Sequence, residues 1–108
     1  MFGKKKVMWN DIVNAYINSP RDVKTIPMNK EGQWFYVYAE DDNIYIECAL
    51  NHSNSCIISH RRKLEKEKLD AMLSLYHRRK KGEAVSKEAT QTTQNQVYWY
   101  GIFSDMNL

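Results

Sequence analysis

The chain has 108 residues, a hydrophobic fraction of 43% and a charged fraction of 27%, the proportions of a folded domain rather than a disordered one. No apolar run reaches membrane-spanning length, which excludes a transmembrane helix. The basic start around Lys4, Lys5 and Lys6 has no apolar stretch behind it, so a cytoplasmic protein and one domain over residues 1–108 are expected.

In chain order, residues 1–7 read as a basic leader. Residues 9–17 follow as a short helix, with Trp9, Ile12, Val13 and Tyr16 on one face and Ser19-Pro20 as its stop. Residues 19–31 read as a connection with a short extended piece near 24–28, where Pro27 argues against a central strand. Residues 33–39 and 43–50 are the clearest strands, rich in aromatic and β-branched residues around the turn composition Glu40-Asp41-Asp42-Asn43. A tight turn there pairs Ala39 with Ile44, Val37 with Ile46 and Phe35 with Cys48. One face then carries Phe35, Val37, Ala39, Ile44, Ile46, Cys48 and Leu50 as core. Trp34, Tyr36, Tyr38, Tyr45 and Glu47 fall on the other. Residues 55–60 are expected as a third strand.

Residues 61–81 read as the long central helix, stopped by Gly82, with Leu69, Met72, Leu73 and Tyr76 as its apolar stripe and the cover of the sheet. Ser86 starts a short helix. Residues 97–103 fit either helix or strand, and the helix is favoured because Thr93 and Gln96 form a capping-box pattern ahead of them. The expected fold is therefore α+β. A short N-terminal helix leads into a three-stranded antiparallel sheet, packed by the long central helix, with a C-terminal helical segment after it.

The net charge of +3 is unevenly spread. Residues 31–55 hold five carboxylates and no Lys or Arg, whereas Arg61, Arg62, Arg78, Arg79, Lys80 and Lys81 cluster at the two ends of the expected central helix. Those ends lie about 25 Å apart at the helical rise, and both suit phosphate neutralisation, against the plainer alternative of a solvated charged face. Residues Ser86 to Phe103 resemble the helix-turn-helix DNA-binding superfamily, with Thr93-Gln94-Asn95-Gln96-Val97-Tyr98-Trp99-Tyr100 in the place of its recognition helix. That resemblance covers about a fifth of the chain and lacks the usual turn glycine. It implies that Gln94, Asn95, Gln96 and Tyr98 face base edges, with Val97 as the anchor.

Three further constellations carry candidate chemistry. The aromatic sheet face suits stacking of single-stranded nucleic acid, but the terminal segment, with Tyr98, Trp99, Tyr100 and Phe103, is expected to cover it. Cys48, His52, Cys56 and His60 recur every four residues, but a short turn sends the two sulfurs to opposite faces, against a metal site. Asp41, Asp42 and Glu47 lack the lysine of a metal-dependent nuclease motif, and no catalytic motif or cofactor is implied. The expected function is a small nucleic-acid-binding domain, regulatory in character, with no membrane partner. The alternative is a protein-interaction or accessory domain, homodimeric through its aromatic surface.

Overall fold

The computed structural model describes residues 7–108. Lys4, Lys5 and Lys6, expected as a further basic point, lie outside the described residues. The elements are α1 (Trp9–Asn18), β1 (Arg21–Lys24), β2 (Trp34–Glu40), β3 (Asn43–Cys48), β4 (Arg62–Lys63), a 3₁₀ turn (Lys66–Lys68), α2 (Leu69–Lys80), α3 (Ser86–Thr92) and α4 (Gln96–Asp105). The fold is α+β, with four antiparallel strands in the order β1-β2-β3-β4.

Helix α1 follows its sequence pattern. Trp9, Ile12, Val13 and Tyr16 are buried, and the Asp11 carboxylate accepts the Met8 amide at 2.8 Å, satisfying an N-terminal donor. The β2–β3 register is also as expected, with Phe35 opposite Cys48, Val37 opposite Ile46 and Ala39 opposite Ile44. Phe35, Val37, Ile44 and Ile46 are fully buried, Ala39 is half-buried, and Cys48 and Leu50 lie exposed beyond the end of the core face.

The sheet has four strands rather than three. Residues 21–24, expected as connection, pair with β2 from Arg21 opposite Val37 to Lys24 opposite Trp34. Pro27 lies just beyond this edge strand, where it costs no ladder bond. Residues 55–60 do not form the expected strand. Among the described residues, Ser55 makes one isolated bridge to Trp34, and Ile57 is 94% exposed. Arg62 and Lys63 take the place beside β3 instead, held by Leu64, which is buried and donates its amide to the Ile44 carbonyl at 2.9 Å. The apolar Leu64 draws the chain onto the sheet, whereas the basic residues before it gain nothing from burial.

The expected 61–81 helix is therefore shorter. It begins at Leu69, after a strand and a 3₁₀ turn, which relieves Arg61 and Arg62 of an unfavourable place at a helix N-terminus. Its buried stripe is Leu69, Met72, Leu75 and Tyr76, with Leu73 half-buried, and it packs on α3 and α4 rather than covering the sheet.

The cover of the sheet is α1 together with α4. Residues 97–103 are helical, and six consecutive residues, Tyr98 to Phe103, are buried, as in a helix enclosed on all sides. Tyr98 meets Phe35 edge-on at 5.1 Å, and Trp99 packs between Trp9 at 6.1 Å and Phe103 at 5.6 Å. Gly101 allows the close approach, since a Cβ there would stand 2.9 Å from both the Lys24 carbonyl oxygen and the Phe35 ring. Asp105 ties the layers together, accepting from Tyr16 Oη at 2.7 Å and Arg21 Nε at 3.0 Å. Among the described residues, no helix is long and apolar enough to cross a membrane.

Candidate nucleic-acid interface

Because side chains alternate along a strand, a core face of Phe35, Val37, Ile44 and Ile46 turns Trp34, Tyr36, Tyr38, Tyr45 and Glu47 outward. The terminal segment was expected to cover these aromatics. It lies on the opposite face, against Phe35 and β1, and leaves the outer face as a half-exposed aromatic row. Tyr36 and Tyr38 stand 5.6 Å apart between ring centres, and Tyr38 and Tyr45 stack at 5.5 Å across the two strands. Arg61 extends the row, its guanidinium 4.0 Å over the Tyr45 ring and Nη1 donating to the Tyr38 hydroxyl at 3.1 Å. Burial, with Glu47, holds the Tyr38 phenol above its usual range against the opposing pull of Arg61, so it stays neutral and keeps its O–H. Lys24 and Lys63 lie on the same outer face, opposite Trp34 and Tyr45.

The Trp34 end is held by a long-range device. The Asp22 side chain is only 2% exposed and accepts the amides of Leu50 at 2.9 Å and Asn51 at 2.7 Å, and His52 Nδ1–H at 2.8 Å. Burial pushes the Asp22 carboxyl up, but the bonds from His52 and the two amides outweigh it and hold the group below its usual value. The His52 ring is thereby laid flat on Trp34, with centroids 3.5 Å apart and planes 9° from parallel. No sequence signal links Asp22 to His52, since the pairing depends on β1 joining the sheet.

The other sequence-predicted site residues divide into separate groups. Arg62, one residue from Arg61, points the other way. It donates to Asn95 Oδ1 at 3.1 Å and lies 5.6 Å over the Tyr98 ring. Asn95 and Tyr98 are both buried, and Asn95 Nδ2 also donates to Glu65 at 3.0 Å, so neither faces a base edge here. Gln94 is exposed and Gln96 half-buried at the start of α4, while Val97, expected as the anchor, is exposed. Glu65 also accepts from Thr93 Oγ1 at 2.5 Å, and these bonds outweigh burial to keep its carboxyl below the usual value.

The C-terminal basic cluster spends most of its charge within the molecule. Arg78 pairs with Glu83 at 3.0 Å and bidentately with Glu88 at 3.0 and 3.1 Å. Arg79 donates to the Ile26 carbonyl and lies 4.7 Å over the Tyr100 ring. Lys80 donates to the Leu108 main-chain oxygen at 2.8 Å, and Lys81 is exposed. Among the described residues, no three His, Cys, Asp or Glu side chains gather closely enough to hold a metal ion. Comparison of the chain with protein-family models, curated proteins and solved structures gives no match.

Proposed function

We propose that this chain binds single-stranded nucleic acid on the outer face of its sheet, with Tyr36 and Tyr38 as stacking platforms, Tyr45 backing them beneath Arg61, and Lys24, Arg61 and Lys63 beside the sugar–phosphate chain. The observation that carries the reading is the half-exposed aromatic row, which no helix among the described residues covers, ending in a guanidinium laid over Tyr45. Rings at this spacing match successive unstacked bases, and a base–aromatic stack contributes about 1–3 kcal/mol whatever the base. A duplex hides its base faces and, among the described residues, would find Lys24, Arg61 and Lys63 here, offset by Glu40 and Glu47. The preference is therefore for a single strand.

Fluorescence anisotropy with short labelled oligonucleotides tests this. Single strands are expected to bind more tightly than the same sequence as duplex. Tyr36→Ala and Tyr38→Ala should each weaken binding by roughly 1–3 kcal/mol, that is about fivefold or more. Arg78→Ala should leave affinity within about twofold, because that guanidinium already faces Glu83 and Glu88. Loss in the Arg78 variant with none in the tyrosine variants would overturn the reading.

A second reading is favoured by the mixed charge of the same face, where Glu40 and Glu47 lie among Lys24, Arg61 and Lys63. Such a surface complements a copy of itself, as a homodimer interface requires. Light scattering that shows a dimer abolished by Tyr38→Ala, without affinity for single strands, would favour it.

A further inference from the structure

At the Trp34 end of the tyrosine row, one imidazole is held at a ring nitrogen and at a ring face, and left open at its other nitrogen. The Asp22 carboxylate accepts the N–H of His52 Nδ1 at 2.8 Å, and Trp34 lies against the ring with centroids 3.5 Å apart. Because an ionised carboxylate only accepts, the neutral imidazole carries its hydrogen on Nδ1 and its lone pair on Nε2. Nε2 makes no hydrogen bond among the described residues, and the His52 side chain is 40% exposed. The Leu50 and Asn51 amides already anchor this loop to Asp22 through the backbone. An imidazole with a buried carboxylate behind it and an open Nε2 is the arrangement of a general base.

The surroundings of that nitrogen define the proton it takes. No side-chain hydroxyl or thiol bonds to it among the described residues. Ser55 Oγ, on the same loop, is engaged by the Ala49 amide and the Cys56 carbonyl. The nucleophile must therefore arrive with the substrate. Trp34 stands two residues before Tyr36 on the outer face of β2, so a strand stacked on Tyr38 and Tyr36 runs on towards His52. Lys24, opposite Trp34 on β1, holds its ammonium 5.7 Å from the Trp34 ring centre, which brings a cation for phosphate to the same end. Of the carboxylates on this side, Asp22 is committed to His52 and the two amides, and Glu47 faces the row further along, opposite Tyr36. A single strand that carries a hydroxyl beside each phosphodiester is RNA.

We infer that this end of the sheet cleaves single-stranded RNA, with His52 Nε2 as the base that takes the 2′-hydroxyl proton and Asp22 as the residue that positions the imidazole. The path of the strand rests on the tyrosine-row reading. The 2′-oxygen attacks the adjacent phosphorus, so that the 2′-O–P bond forms and the P–O5′ bond breaks. The 2′ proton passes to Nε2, and the departing 5′-oxygen takes a proton from water. The hydroxide left behind recovers the proton from His52, so nothing else is consumed. Lys24 offsets the charge that builds on the phosphate. The products carry a 2′,3′-cyclic phosphate and a 5′-hydroxyl, and DNA is bound without being cut.

Incubation of the full chain with an end-labelled oligoribonucleotide tests this, with the 2′-O-methyl strand of the same sequence as an uncleavable binding probe. The RNA is expected to yield ends in 2′,3′-cyclic phosphate, while the 2′-O-methyl strand binds and stays intact. His52→Ala should lower kcat about a hundredfold or more with KM unchanged, and free imidazole should restore part of the loss. His52→Gln, which keeps a donor for Asp22, should be as inactive as His52→Ala. Asp22→Asn should lower kcat at unchanged KM, because the tyrosine row is intact. Binding of the 2′-O-methyl strand with the RNA left whole would overturn this inference and leave the tyrosine-row reading standing. Failure to bind either strand would sink both. Cleavage undiminished in His52→Gln would remove His52 from the reaction and the inference with it.

Discussion

Two carboxylates and one glycine show how much of this fold rests on single residues. Glu65 accepts from Thr93 and from buried Asn95, so Glu65→Ala strands two donors at the junction of β4 and α4. Urea denaturation should report a loss of about 1–3 kcal/mol. Asp22 couples stability to acid. Its folded pKa lies below the ordinary 3.8, so the stability it contributes is fully present above that value and is lost as pH falls through the folded pKa. Glu65 acts in the same direction. Unfolding midpoints measured across pH 2.5–6, a window spanning about 4 where carboxylates titrate, should fall on acidification. Asp22→Asn should flatten that fall and free His52 from Trp34. Gly82, at a φ of 95°, ends α2 in the left-handed region with open space around it, so Gly82→Ala costs conformational strain alone, about 1–2 kcal/mol.

Elements with a strict period were legible, and elements defined by what they touch were not. The stripe of α1 and the register of β2 with β3 could be read because Trp9, Ile12, Val13 and Tyr16, and then Phe35, Val37, Ile44 and Ile46, repeat at helical and strand spacing. β1 was hidden because Arg21-Asp22-Val23-Lys24 offers a single apolar residue, and β4 because it is two residues inside a basic run. The largest miss was which helix covers the sheet. A long basic stretch with a clean stripe points to residues 61–81 for that role, whereas the short segment 97–103, apolar on all sides, fills it together with α1. Gly101 is the point of contact. Gly101→Ala forces a methyl group against Lys24 and Phe35, and calorimetric unfolding should show a loss of about 1–3 kcal/mol.

At the scale of the whole molecule, sequence charge was a poor guide to free charge. Arg78, Arg79 and Lys80 form the densest basic run with Lys81, yet each of these three engages a carboxylate, a carbonyl or a ring of its own chain. The outer aromatics were legible as one face. That they lie open was not, since it depends on which side α4 takes. Stacking rather than phosphate neutralisation should therefore dominate affinity. A salt series should give a shallow slope, about two to three counterions released rather than the six or more of a groove-binding protein.

The most direct test is a titration of ¹⁵N-labelled protein with an unlabelled single-stranded oligonucleotide, followed amide by amide. Saturable shifts are expected at residues 34–38, 45–47 and 61–63, with residues 78–82 unmoved. Shifts centred on residues 78–82 and 94–97, with the tyrosine row silent, would contradict single-strand binding on this face.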